Sequence, residues 1–300
     1  MRTAIALFAG LALATASPFG LAQGKAGSAK NPNKAAGAPA AQAAPATQPE
    51  ELDEATKEFE KFRAEMEDAN PAELFEMKGE ELWKQKRGPK NVSLAESCDL
   101  GQGMGVVKGA YVATPRYYED ADAVMDAERR IVWCMVEKQG FKFDDIAKKP
   151  FQGLNDNNAP DITNLVTYVA AQSKDMKIAV PLDHPRVRDA WETGREIANY
   201  RAGPYDFSCN TCHGSDGKRI RMQNLPNLAT TKGAIKGVQG WPGYRMTGGV
   251  MLTHQWRMND CFRQQRFPQP KYASELVTDL LTYMTGNANG QMYRGPGIKR

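Results

Sequence analysis

Apolar positions along this chain recur at helical spacing rather than in alternation. Ile162, Leu165, Val166 and Val169 form an i, i+3, i+4, i+7 stripe, the pattern of a helix with one buried face. Glu119 to Gln139 reads the same way, with Val124, Ile131 and Met135 on one side and Gly140 as its stop. Pro185 to Arg201 is another such segment. Its Val187, Trp191, Gly194 and Ile197 share a face, Gly203 closes it, and His184 at its start reads as structural. Leu276, Leu280, Tyr283 and Met284 mark the last helix, before Gly286. Glu50 to Asn70 carries enough charge to predict a surface helix, ended by Pro71. No run of alternating strands is visible, so the pattern predicts a mainly α protein.

One short stretch changes that picture from fold to chemistry. Cys209-Asn210-Thr211-Cys212-His213 is a C-x-x-C-H sequence, the attachment signature of a c-type haem. Two thiols add across the vinyl groups, and the adjacent His reaches the iron. Zinc fits poorly, because no second Cys/His pair stands at zinc-ligand spacing. A dithiol redox motif would follow a strand in a βαβ pattern, which is missing here. A helix before the motif and one at the chain end are what a small cytochrome c domain needs; the two cross and close the haem pocket.

Haem c attachment takes place outside the cytoplasm, and the N-terminus agrees. Met1-Arg2 is a cationic start, Ala4 to Ala16 is apolar but too short for a bilayer span, and Gly20-Leu21-Ala22 offers a cleavage site. Residues 1–22 therefore read as a signal peptide and the mature protein as periplasmic. Residues 23–49, mostly Ala, Pro, Gly, Lys, Gln and Asn, cannot bury enough apolar surface to order themselves and read as a leader. Roughly 250 residues remain, which suits two domains. The net charge of +4 is mild. It favours an anionic substrate without arguing for nucleic acid, for which no motif is present, and no other segment is apolar enough to span a membrane.

The two halves resemble each other. Ser97-Cys98 matches Ser208-Cys209, and Asn164 to Val169 matches Asp279 to Met284. Placing Cys134 on Cys261 puts Arg130 on Arg257. In the first half the motif reads Cys98-Asp99-Leu100-Gly101-Gln102, with Gly101 where the second Cys belongs and Gln102 where the His belongs. The expectation is two tandem cytochrome c-like domains, residues 50–180 haemless and residues 181–300 carrying one covalently bound haem c.

Cys98, Cys134 and Cys261 remain after Cys209 and Cys212 are assigned. In an oxidising compartment the within-domain pair is Cys98 with Cys134, and closing a loop of that length stabilises by about 4 kcal/mol in the chain-entropy model. Two free buried thiols are the alternative. Cys261 is then the odd cysteine. For the second axial ligand, Met246, Met251, Met258, His254 and Cys261 all stay open on composition. Met raises the iron potential, whereas a thiolate lowers it.

Arg257-Met258-Asn259-Asp260-Cys261-Phe262-Arg263-Gln264-Gln265-Arg266-Phe267-Pro268 resembles the active-site segment of the SoxA family, the cytochrome subunits of bacterial sulfur oxidation. Ser97 to Gly101 and Gly109-Ala110-Tyr111 resemble it too, so the likeness runs from about residue 70 to the end. Some members carry two haems; this sequence is similar to the single-haem branch, in which a disulfide occupies the haemless domain. The resemblance implies that Cys261 is the distal iron ligand and the catalytic sulfur, carried as a persulfide. It implies that His213 is the proximal ligand and that Arg257, one helical turn before Cys261, binds thiosulfate. The Pro226 carbonyl is placed to accept the proton of the other His213 nitrogen, with core turn packing as its alternative. The implied activity is that of an L-cysteine S-thiosulfotransferase, with a SoxX-like cytochrome subunit and a SoxYZ-like carrier as partners. The rival is a plain electron-transfer cytochrome with Met or His ligation.

Overall fold

The computed structural model describes residues 54–299, except 67, 68, 155, 221 and 222. The expected signal peptide, the leader and the first residues of the helix expected from Glu50 lie outside the described residues. The helices are α1 (Glu54–Glu65), α2 (Ala72–Lys84), α3 (Leu94–Ser97), α4 (Ala127–Glu137), α5 (Phe143–Ala147), α6 (Asp161–Ala171), α7 (Pro185–Asn199), α8 (Cys209–His213), α9 (Thr231–Val238), α10 (His254–Gln264) and α11 (Glu275–Asn287). Short strands lie between them: β1 (Arg116–Tyr118), β2 (Ala123–Met125), β3 (Arg219–Ile220), β4 (Gln223–Asn224), β5 (Gly243–Arg245), β6 (Val250–Leu252) and β7 (Gly297–Lys299). The protein is mainly helical, as the apolar spacing predicts. The strands are too short for alternation to register in the sequence.

Two expectations shift in extent. The helix expected over Glu119–Gln139 begins at Ala127, because Asp126 caps it by accepting from the backbone N–H groups of Glu128 and Arg129. The residues before it form the β1–β2 hairpin instead. Pro71 ends nothing long. It stands at the N-terminus of α2, a helix that sequence reading missed, where the Asn70 side chain accepts from the Ala72 N–H at 3.0 Å.

One arrangement occurs twice. α2 packs on α6, and α7 packs on α11. Each crossing is closed by a glycine. A Cβ on Gly79 would lie 2.1 Å from the Asn164 carbonyl oxygen, and one on Gly194 would lie 2.0 Å from that of Asp279. Tyr168 and Tyr283 pack beside the two glycines. A hairpin then leads into a helix in both halves: β1–β2 into α4, and β5–β6 into α10, with β7 added parallel to β5. Each hairpin turns through a left-handed residue, Asp122 at φ 45° and Gly249 at φ 61°. The repeat places Arg130 and Cys134 on α4 where Arg257 and Cys261 stand on α10.

Two large hydrophobic cores follow, beside a small cluster of Trp241, Val250 and Leu252. One gathers Trp83, Leu94, Ile131, Leu165 and Val166, with Cys98 and Cys134 inside it. Those two cysteines are joined as a disulfide, Cα to Cα 5.6 Å, tying the end of α3 to α4. The other gathers Val187, Leu280, Leu281 and Met284, together with Val112, Ile178 and Val180 from earlier in the chain.

A buried polar junction joins α4, α10 and α11. Beyond its capping role, Asp126 accepts from the Gln255 amide at 2.9 and 3.1 Å and from the Thr278 hydroxyl at 3.0 Å. Beside it, Glu128 accepts from the Tyr272 hydroxyl at 2.8 Å. Burial, and then the neighbouring Asp126 charge, push the Glu128 carboxyl up to about 8.

Two predictions follow from this packing. Gly194→Val forces α7 and α11 apart and is expected to lower stability by about 3 kcal/mol, read from denaturant unfolding. An unchanged midpoint would show that the crossing is not tight. A raised native pKa stabilises fully below the unfolded value and is lost as pH rises through about 8. Melting temperature should therefore fall with pH across that window, and Glu128→Gln should flatten the profile.

Candidate active site

The C-x-x-C-H segment forms the single short helix α8. Ser208 starts it with a capping box: its hydroxyl accepts from the Thr211 N–H at 3.1 Å, while its own N–H donates to the Thr211 hydroxyl at 3.0 Å. Within this turn Cys209, Cys212 and His213 project as a group, and neither thiol is paired.

His213 Nδ1 donates to the Pro226 carbonyl at 2.8 Å. That bond leaves Nε2 as the nitrogen with a free lone pair. Burial first, and Arg257 in addition, hold the imidazole pKa below its ordinary value, against the Pro226 contact that raises it. A neutral imidazole is the form that ligates a metal. The Leu228 N–H also donates to the His213 carbonyl at 2.9 Å, fixing the loop that carries Pro226.

α10 carries the other groups. Thr253 caps it by accepting from the Trp256 N–H. Arg257 and Cys261 lie one turn apart on the same face of α10. Cys261 is a free thiol, and burial pushes its pKa up. Arg257 opposes that shift; Asp260 and Cys212 add to it. Cys209 is pushed up to about 11, by burial first and then by Cys261. Charge couplings thus link Cys261 to Cys209, Cys212 and Arg257, and Arg257 to His213.

These residues fit a haem c. Two unpaired thiols lie on one turn, a histidine keeps one nitrogen free because the other is held, and a third unpaired, half-buried thiol on α10 is electrostatically coupled to both cysteines. Among the described residues, no three His, Cys, Asp or Glu side chains gather as a bare metal site.

The other candidates have the following surroundings. His254 is buried at the start of α10 and stacks on Trp241, ring centroids 5.9 Å apart, and burial depresses its pKa to about 3. Met251 and Met258 are buried, Met251 on β6 and Met258 in the core beside α11. Met246 lies in the 3₁₀ turn after β5. His184 stacks on Tyr117 at 4.8 Å at the start of α7, in keeping with a structural part.

Sequence reading missed Asp260. Its carboxylate is 8% exposed and accepts from Arg257 at 3.2 Å, from Arg263 at 2.6 Å and from the Gln264 amide at 2.6 Å. The signal was present in the i, i+3 and i, i+4 spacings along α10. In the first half the counterpart arginine is locked more firmly. Arg130 is buried, forks onto Asp120 at 2.8 and 2.9 Å, and stacks over Tyr118 and Trp133.

Comparison with known proteins decides the family. A family profile described as "SoxA/TsdA, cytochrome c domain" matches residues 78–178. The L-cysteine S-thiosulfotransferase subunit SoxA of Hydrogenophilus thermoluteolus is 44% identical over 81% of this chain and 88% of its own. The chain belongs to the SoxA family. The Hydrogenobacter thermophilus SoxA subunit is 33% identical over 76% of this chain and 83% of its own. The crystal structure of SoxXA from P. pantotrophus contains a chain that superposes with a TM-score of 0.63 at 25% identity, covering 80% of this chain and 84% of that one. The SoxA likeness therefore spans most of the described residues, including both halves of the repeat.

The contacts of Asp260 predict coupling. Asp260→Ala and Arg257→Gln are each expected to destabilise, and the double variant to lose about 1 kcal/mol less than their sum. Additive losses in denaturant unfolding would show that the pair is not energetically linked.

Proposed function

We propose that the protein is the SoxA subunit of an L-cysteine S-thiosulfotransferase, acting in the periplasm on thiosulfate and a carrier-protein cysteine. The reading is supported by the relatives at 44% and 33% identity that carry this activity in their names. The observation that carries it to particular residues is the half-buried, unpaired Cys261 with Arg257 as its foremost electrostatic neighbour.

In this reading Cys209 and Cys212 tether one haem c. His213, through Nε2, and Cys261 would be the residues that hold its iron. When bound, the haem supplies a route by which electrons leave the site. Arg257 attracts the thiosulfate dianion and, held by Asp260, presents its guanidinium beside the Cys261 sulfur. A two-electron oxidation joins the outer sulfur of thiosulfate to the Cys261 sulfur; the carrier thiolate then attacks that outer sulfur, the bond to Cys261 breaks, and Cys261 leaves as the thiolate. Overall, an S–S bond forms between the outer sulfur of thiosulfate and the carrier thiol, and two electrons and the thiol proton are released. The electrons pass to a SoxX-like cytochrome subunit, a pairing supported by the likeness to the SoxXA structure. The carrier is of the SoxYZ type.

The first half is read as a cytochrome c-like domain that has lost its haem. Gly101 and Gln102 stand where the second Cys and the His are needed, and the disulfide joins the counterparts of Cys209 and Cys261. Among the described residues no helix is long and apolar enough to cross a membrane. Export rests on the N-terminal signal and on the haem motif.

Cys261→Ala is expected to abolish thiosulfate transfer while haem stays attached. Arg257→Ala should lower kcat/KM for thiosulfate by about 10²- to 10³-fold. The ferric protein should show a low-spin, low-potential haem. Undiminished turnover in Cys261→Ala, or the absorption signature of Met ligation, would reject this assignment in favour of a plain electron-transfer cytochrome.

A further inference from the structure

Past Cys261, α10 runs out into a groove open to solvent, with a volume of about 470 Å³. Arg263 and Gln264 enter it from the last turn, Arg266 from the chain just beyond, and Arg245 from β5. The one acid in its lining is Asp260, which is buried and already engaged by Arg257, Arg263 and Gln264. Arg245 donates to the Thr247 hydroxyl at 3.3 Å, and Arg266 lies over the Tyr205 ring at 5.6 Å. Among the described residues neither has a carboxylate partner. Three guanidinium groups against one carboxylate leave a cationic excess facing solvent.

Arg266 adds a second clue. Its backbone is left-handed, φ 54°, where glycine or asparagine would sit with less strain. The chain places an arginine there nonetheless and lays it across an exposed tyrosine.

The shape and rim decide between two kinds of anion. A small oxyanion is held best in an enclosed cradle, and this groove is wide and open. Its edges carry Leu154, 56% exposed, and Tyr205, 46% exposed. Arginine and tyrosine with an apolar neighbour are the composition of a protein-binding patch. We propose that this groove docks an acidic peptide segment of the protein that carries the acceptor thiol. The identity of that protein rests on the function proposed above. Docking here sets a thiol on the same partner beside the neighbouring face of α10, where Cys261 lies.

The test uses the full-length, haem-loaded protein and a fluorescently labelled hexaglutamate peptide, with hexalysine as control. Hexaglutamate should bind, weaken at least about tenfold between low and moderate salt, and weaken about tenfold again in Arg245→Gln/Arg266→Gln. Charge reversal in Arg245→Glu/Arg266→Glu should abolish binding. In turnover, the KM for the carrier should rise about tenfold in the glutamine variant, while the KM for thiosulfate stays at the wild-type value. Hexaglutamate binding that ignores both variants, or is absent in the wild type, overturns the proposal. So does a KM shift confined to thiosulfate, which would make the groove a small-anion site. If the wild type transfers thiosulfate to no carrier, the function proposed above fails, while the peptide measurement still reads the groove.

Discussion

A single buried carboxylate holds the architecture in register. Asp126 caps α4 through two backbone N–H groups and at the same time takes the Gln255 amide from α10 and the Thr278 hydroxyl from α11. A carboxylate out of water must have its lone pairs filled, and these donors fill them. Its position is therefore over-determined. The consequence is that α4, which carries Cys134, and α10, which carries Cys261, share one fixed point. The glycine-closed crossing of α7 on α11 then sets the wall against which Cys209 packs.

The repeat gives the two cysteine pairs their meaning. Cys98 and Cys134 in the first half are the residues that sequence alignment matches to Cys209 and Cys261 in the second. In the first they close on each other, inside a hydrophobic core. In the second they stay apart as free thiols, beside a histidine whose Nδ1 is held by the Pro226 carbonyl. The arginines diverge in the same way. Arg130 is buried and locked by Asp120 and two aromatic rings, whereas Arg257 stays one-third exposed and is held from one side by Asp260. One half carries a disulfide and a buried, locked arginine, and the other a free thiol and a partly exposed arginine.

Much of this was legible in the chain. The helical stripe at Ile162–Val169 and the segment from Pro185 became α6 and α7 nearly as their apolar spacing indicates. The alignment of Cys134 on Cys261 reappears as the hairpin-to-helix repeat. The motif at Cys209–His213 is local, so its chemistry could be read without a fold. Short β segments, α2 and the start of α4 escaped, because each depends on contacts distant in sequence or on a cap that overrides the apolar pattern.

Sequence alone determined the mainly helical class, the haem-attachment motif, the broken copy of it and the odd cysteine, since each rests on residue identity at short spacing. Tertiary structure decided that Cys261 lies within electrostatic reach of Cys212 and Arg257, that Asp260 restrains that arginine, and that three arginines from separate segments open one groove. These are meetings of side chains brought together only when helices cross. No pattern along the chain records how far apart two such faces finally lie.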